Sequence, residues 1–300
     1  MKIIIGITIT LSIILTGCSS AKSGVVNESK PAVNDTTINN APLNNNQQSE
    51  SEKTIDNVRN TNTNIIKNID TAKSLFEKGY YDYQGTINNI PIQMSIYPLD
   101  KDIVGTYFYE KQRKEIKLRG KAGGKDIILY EYDKTGKNTG VFQGKMNTVD
   151  KIIGTWISAD GKRSLPFSLS LKSNIPGANY GKRYAVAVNK SDQDVENFAS
   201  KIQSYIINDN KEQLAKEVQY PINVKINGKV TKIQNSTDFI KNYDQIFNLS
   251  YKNAISNAFT KYLFVNWQGI MFGEGLYNIW INEETPPGST SKLMITAINN

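Results

Sequence analysis

The side chains that carry most enzyme chemistry are nearly missing from this 300-residue chain, which contains 0 His and 1 Cys. Without imidazole there is no Ser-His-Asp or Cys-His relay and no His-ligated zinc or haem. Nor does any side chain have an unperturbed pKa between pH 5 and 8. Carboxylates, lysines, phenols and hydroxyls remain for proton transfer. No stretch clusters several carboxylates at calcium-loop spacing, so no metal and no other cofactor is expected. The second chemical feature is cationic. The chain carries a formal charge of +8, and residues 73–172 hold 17 basic against 11 acidic residues, compared with 13 against 11 over 173–300. Lys111, Arg113, Lys114, Lys117, Arg119 and Lys121 concentrate the excess in two strands and their turn. Such a face could meet an anionic polymer, lipid head groups or an acidic protein. It serves equally as a solvated face that prevents edge pairing.

The lone Cys has its own context. Met1-Lys2 is followed by an apolar run from Ile3 to Leu15, too short to span a bilayer comfortably, which reads as an export signal. It ends in Leu15-Thr16-Gly17-Cys18, which resembles the lipobox of bacterial lipoproteins. The resemblance implies that Cys18 is diacylated and begins the mature chain, so that Cys18 is an anchor rather than a nucleophile. No charged stop-transfer flank follows to favour a membrane helix instead. The expected location is exported and lipid-anchored at the cell membrane, facing away from the cytoplasm, where nucleic acid is not an expected partner. From Ser19 to about Asn60 the Asn-, Ser- and Thr-rich composition predicts a tether without a core.

The elements that would position any site begin after it. Ile65, Ile69, Ala72 and Phe76 predict a short helix before Gly79. From Tyr81 to Leu171 the apolar period is two, as in Ile92-Met94-Ile96 and Leu165-Phe167-Leu169. Turn signals such as Asn88-Asn89 and Gly123-Gly124-Lys125-Asp126 separate the runs. About eight strands in sequence predict an up-and-down meander barrel, whose closure removes unpaired edges. Its rhythm and the steps Gly105-Thr106-Tyr107, Gly140-Val141-Phe142 and Gly154-Thr155-Trp156 resemble avidin- and lipocalin-type meanders, a resemblance that implies no ligand site. After Ser191 the period becomes helical, with Ser191 and Asp194 as the cap and Val195, Phe198, Ile202 and Ile206 as the stripe. A short helix from Lys211, a hairpin through Asn227-Gly228, a helix from Ser236 and three strands (Tyr262 to Gly269, Leu276 to Ile281, Lys292 to Ile298) predict an α+β domain.

Val195-Glu196-Asn197-Phe198, Tyr220-Pro221, Tyr243-Asp244-Gln245-Ile246-Phe247, Phe264-Val265-Asn266-Trp267-Gln268-Gly269 and Ile279-Trp280 give this last part its resemblance to the nuclear transport factor two-like (SnoaL-like) superfamily. The resemblance implies helices packed on a curved antiparallel sheet around a conical cavity, with homodimerisation through the sheet. It places Tyr220, Tyr243, Asp244, Trp267, Gln268, Glu274 and Trp280 near the mouth. Trp267, Gln268, Trp280 and Tyr243 would contact a ligand. In an isomerase or lyase, Asp244 or Glu274 would be the base and Tyr243 or Tyr220 the donor. The competing reading is packing and turn chemistry, because Tyr243, Ile246 and Phe247 have helix-core spacing and Glu274 stands between two glycines. Gly273-Glu274-Gly275 lacks the third glycine and the following helix of a dinucleotide loop. Ser289-Thr290-Ser291-Lys292 and Lys134-Thr135-Gly136 lie in the wrong order for a penicillin-binding enzyme.

The sequence thus predicts a signal peptide (1–17), a lipid anchor and tether (18–63), a short helix plus all-β barrel (64–175), a linker (176–190) and an α+β cone (191–300). The function expected is non-catalytic binding at the bacterial envelope. A small-molecule enzyme and a structural envelope component are the alternatives.

Overall fold

Eight segments of alternating polarity between residues 79 and 176 form a closed barrel in the structure, a computed structural model that describes residues 69–300. They are β1 (Gly79–Ile87), β2 (Ile90–Leu99), β3 (Asp102–Tyr109), β4 (Ile116–Gly123), β5 (Asp126–Tyr132), β6 (Asn138–Lys145), β7 (Lys151–Ser158) and β8 (Ser164–Pro176). Neighbours in sequence pair antiparallel, and β1 pairs with β8 to close the cylinder. One side of each strand faces inward, where Tyr83, Met94, Tyr107, Leu118, Phe142 and Phe167 fill the core. The up-and-down barrel therefore stands as the alternation predicts.

One carboxylate lies inside it. Glu131, 7% exposed, accepts hydrogen bonds from the Tyr107 hydroxyl at 2.6 Å, Trp156 Nε1 at 2.9 Å and Thr139 Oγ1 at 2.6 Å. Thr139 is the extra residue of a β-bulge, since Tyr132 faces Asn138 while Glu131 faces Gly140. Gly140 makes room for the indole, because a Cβ there would come within 2.8 Å of Trp156.

The signal peptide, Cys18 and the tether lie outside the described residues, as does the start of the expected helix. Residues 69–78 depart from that expectation, forming a single 3-10 turn, Thr71–Lys73. Their backbone is tied to the barrel instead: Gly124 N donates to the Lys73 carbonyl, and Phe76 packs edge-on against Tyr81 at 4.9 Å.

The second region has its own core. Its elements are α1 (Asp192–Ile207), α2 (Lys211–Ala215), the hairpin β9 (Ile222–Ile226) and β10 (Lys229–Ile233), α3 (Ser236–Ile246), α4 (Leu249–Asn257), and the sheet β11 (Phe264–Asn266), β12 (Gly269–Glu274), β13 (Tyr277–Glu284), β14 (Lys292–Asn299). Ser191 and Asp194 form the predicted capping box. Helices and sheet bury Ile202, Phe239, Tyr243, Phe247, Tyr251, Phe272 and Ile279 between them. Two features differ from expectation. Helix α4 was not predicted, because Tyr251 and Ile255 are its buried residues in an otherwise Asn- and Ser-rich stretch. The expected strand Tyr262 to Gly269 ends at a turn at Trp267-Gln268 after β11, and β12, almost wholly beyond it, makes the sheet four-stranded rather than three-stranded. Among the described residues, no helix is long and apolar enough to cross a membrane.

Candidate functional site

Side chains on the outside of a barrel ordinarily meet water, but one row of this barrel is largely covered, its two central members buried. The register aligns Thr106 with Ser95, Ser95 with Asp82, and Asp82 with Ser173, on β3, β2, β1 and β8. Tyr81 and Tyr83 point inward, so Asp82 between them points outward, yet it is 4% exposed. Its cover comes from residues 177–190 and from the chain entering β11. A bulge lies at the same place: Asp82 faces Ser173 while Tyr83 faces Leu171, leaving Lys172 as the extra residue. Bulges bend a strand and re-aim its side chains, often beside functional sites.

Arg183 closes over the row. Its Nη2 donates to Asp82 Oδ2, its Nη1 to Ser95 Oγ at 3.2 Å, and its Nε to the Leu263 carbonyl at 3.4 Å. The Tyr80, Tyr184 and Tyr262 rings lie 5.0, 5.7 and 5.9 Å from the guanidinium. Burial opposes the charge on Arg183, but Asp82, with Tyr184 and Tyr80 adding to it, raises the guanidinium pKa overall. Ser173 Oγ donates to the same Asp82 Oδ2 at 2.7 Å. Asp82 Oδ1, fully buried, has no hydrogen-bond partner. Buried polar atoms are nearly always paired, so an orphan oxygen calls for an explanation. Asp82 lines a cavity of about 150 Å³ together with Gln93, Phe108, Lys172, Tyr262 and Met271, with Glu274 also in the wall.

A second polar group abuts the first. The Tyr262 hydroxyl shares a 2.6 Å hydrogen bond with Thr106, and Lys261 Nζ lies 2.6 Å from Glu115 and 3.2 Å from Glu196. Burial raises the Tyr262 pKa well above its ordinary value, with Glu115 adding to it. Burial likewise raises that of Glu196, and Lys261 offsets part of the effect. A carboxyl whose folded pKa is raised contributes stability at low pH that is lost as pH rises through the folded value. Glu196→Gln should therefore stabilise the chain at pH 8, with Lys261 keeping Glu115. The gain should shrink to nothing as pH falls below the carboxylate range. Urea midpoints across pH check this, and a gain that grew on acidification would contradict it.

The residues singled out from the sequence are dispersed. Asp244 is on the surface, paired with Lys211 at 2.7 Å. Glu274 pairs with Lys172 in the wall of the junction cavity. The Tyr243 hydroxyl donates to the Ile206 carbonyl at 3.4 Å and that of Tyr220 to the Ala215 carbonyl at 2.9 Å. Both rings contact Phe239, and burial raises both pKa values. Trp267 is 80% exposed at its turn beside Gln268. Trp280 is half-buried on β13, edge-on to Phe264. Of the basic set, Arg113 holds the end of α4 through the Asn257 and Ala258 carbonyls, both at 3.3 Å, and lies over Phe259. Arg119 makes two bonds to Asp102, with Lys121 at 3.6 Å. Lys111, Lys114 and Lys117 are exposed and make no ion pair among the described residues. Among those residues no group of three or more His, Cys, Asp or Glu side chains is placed to hold a metal.

Comparison with protein-family models, with curated proteins and with solved structures gives no match. Sequence reasoning missed Asp82, Lys172, Arg183, Lys261 and Tyr262. One available signal was the connector, in which Tyr180, Arg183 and Tyr184 are bulkier than a solvated linker requires.

Proposed function

We propose that this chain is a lipid-anchored protein of the bacterial envelope that acts by binding, with the junction cavity as its ligand site. The observation that carries the reading is Asp82, whose Oδ1 is a buried acceptor without a donor and which is among the residues that line a cavity of about 150 Å³. A bound molecule would supply the missing hydrogen bond, and the cavity joins the two cores, a common setting for ligand sites. Native mass spectrometry of protein extracted from its own membranes should show an adduct of constant mass, lost when Met271→Trp fills the cavity. Bare protein throughout would overturn the site.

The anchor rests on Leu15-Thr16-Gly17-Cys18, and the three unpaired cations Lys111, Lys114 and Lys117 offer a contact for anionic envelope polymer. A Cys18→Ala protein should remain with envelopes at low salt and leave them at high salt, whereas the unaltered chain stays throughout. Retention of the variant at high salt would refute the anchor, and its loss at low salt would refute the basic contact.

A further inference from the structure

The chemistry of the cavity wall narrows what could fill it. Asp82 Oδ1 offers two lone pairs and nothing to donate, so the guest must bring an N–H or O–H. The wall also carries apolar and aromatic side chains beside its polar ones. Phe108 lies 5.3 Å from Phe259 and 5.4 Å from Tyr262, centroid to centroid, and Met271 lies beside them in the wall. Ring faces attract cations, and Phe259 already carries the Arg113 guanidinium at 5.2 Å.

The lysines of the cavity are committed elsewhere, Lys172 to Glu274 and Lys261 to Glu115 and Glu196. The acidic groups of the wall and their ion-pair partners are Asp82, Glu115, Glu196 and Glu274, and the basic groups are Arg183, Lys172 and Lys261, with Arg113 over the wall ring Phe259. A charged donor on a buried carboxylate makes a hydrogen bond roughly twice as strong as a neutral one. A cavity of about 150 Å³ holds a benzene-sized guest of about six heavy atoms.

We infer that the junction cavity binds a small, largely apolar molecule bearing one primary ammonium group, the ammonium on Asp82 Oδ1 and the apolar end against Phe108, Tyr262 and Met271. This rests on the reading of the cavity as a ligand site and adds the ligand's chemical class.

Calorimetric titration of the full chain with n-butylammonium, 1-butanol and butyrate tests it, since the three share a chain length and differ in head group. The expected result is at least a tenfold preference for the ammonium over the alcohol, consistent with the gain for a charge-assisted hydrogen bond, and no binding of butyrate. Asp82→Asn would remove the preference but also weakens the hold on Arg183. Met271→Trp is therefore the second variant: it leaves the Asp82–Arg183 pair in place and should abolish binding of both ammonium and alcohol. An alcohol that binds as well as the ammonium, or a butyrate that binds better, overturns the ammonium class and leaves the cavity as a site. A preference undiminished in Met271→Trp overturns the cavity as the place of binding. Failure of all three probes overturns the inference, and the adduct measurement on extracted protein then judges the binding reading independently.

Discussion

Replacing Arg183 with Met is expected to lower the stability of the full chain by about 3–5 kcal/mol, the usual cost of removing one partner from a buried ion pair. The large effect follows from what stays behind. Asp82 would keep one hydrogen bond, from Ser173, and a buried charge whose second oxygen is already unpaired. Ser95 would lose its donor from the guanidinium, and the Leu263 carbonyl its partner. Asp82→Ala should cost a similar amount by stranding Arg183 among three tyrosine rings. The double variant Asp82→Ala/Arg183→Met should cost clearly less than the two added together, because neither charge is then left alone. Urea unfolding followed by far-ultraviolet circular dichroism measures all three. Single replacements that each cost under about 1 kcal/mol would mean that the junction is solvated and behaves like a surface pair.

Trp156→Ala should be at least as damaging, by a different route. Removing a buried indole costs about 3–5 kcal/mol in lost packing. Here the indole also donates to Glu131 Oε2, and losing a hydrogen bond to a charged group adds about 1.5–3 kcal/mol. Trp156→Phe separates the two contributions, since it keeps most of the ring volume and forfeits the donor, and about 1.5–3 kcal/mol is expected for it. The Tyr107 hydroxyl, whose pKa is raised by burial and by the adjacent Glu131, remains as a donor in both variants. If Trp156→Phe were neutral, Glu131 would be satisfied without the indole and the interior network would be weaker than its distances imply. The remaining Trp267 and Trp280 lie outside the barrel, so loss of fluorescence from the barrel can be assigned to Trp156.

The barrel was legible because its strands have one dry face and one wet one, and a period of two survives in the sequence wherever that contrast holds. The helix α1 was legible for the matching reason, with Ser191 and Asp194 marking its start. Helix α4 was not, because only two of its apolar residues, Tyr251 and Ile255, are buried and they give no long stripe to read. Trp267 was misplaced in a strand because aromatic residues favour strands in general, and here it is left on an exposed turn. The junction was the least legible of all. Thr106, Ser95, Asp82 and Ser173 are outward polar residues, as any solvated barrel face would show. What buries them comes from far along the chain: Arg183 is 101 residues from Asp82, and Tyr262 is 156 from Thr106. Local pattern has no access to separations of that size. Glu274, a sequence candidate that stands between two glycines, lies in the wall of the junction cavity and pairs with Lys172.

Asp82 stands on the first strand of the barrel and Ser173 on the last, so the carboxylate sits on the seam where the cylinder closes. No partly built barrel contains this pair. Strands β2 to β7 can zip hairpin by hairpin through local contacts, whereas the seam requires a loop of 91 residues to be closed against its entropy. Arg183 follows the end of β8 within a few residues and can reach Asp82 only when that strand has docked. Local strand pairs favour early formation over so distant a contact, which places the Asp82–Ser173 seam late in a hairpin-by-hairpin assembly. The cavity wall draws on residues as far along the chain as Met271 and Glu274, so it is complete only once β12 lies beside the barrel strands.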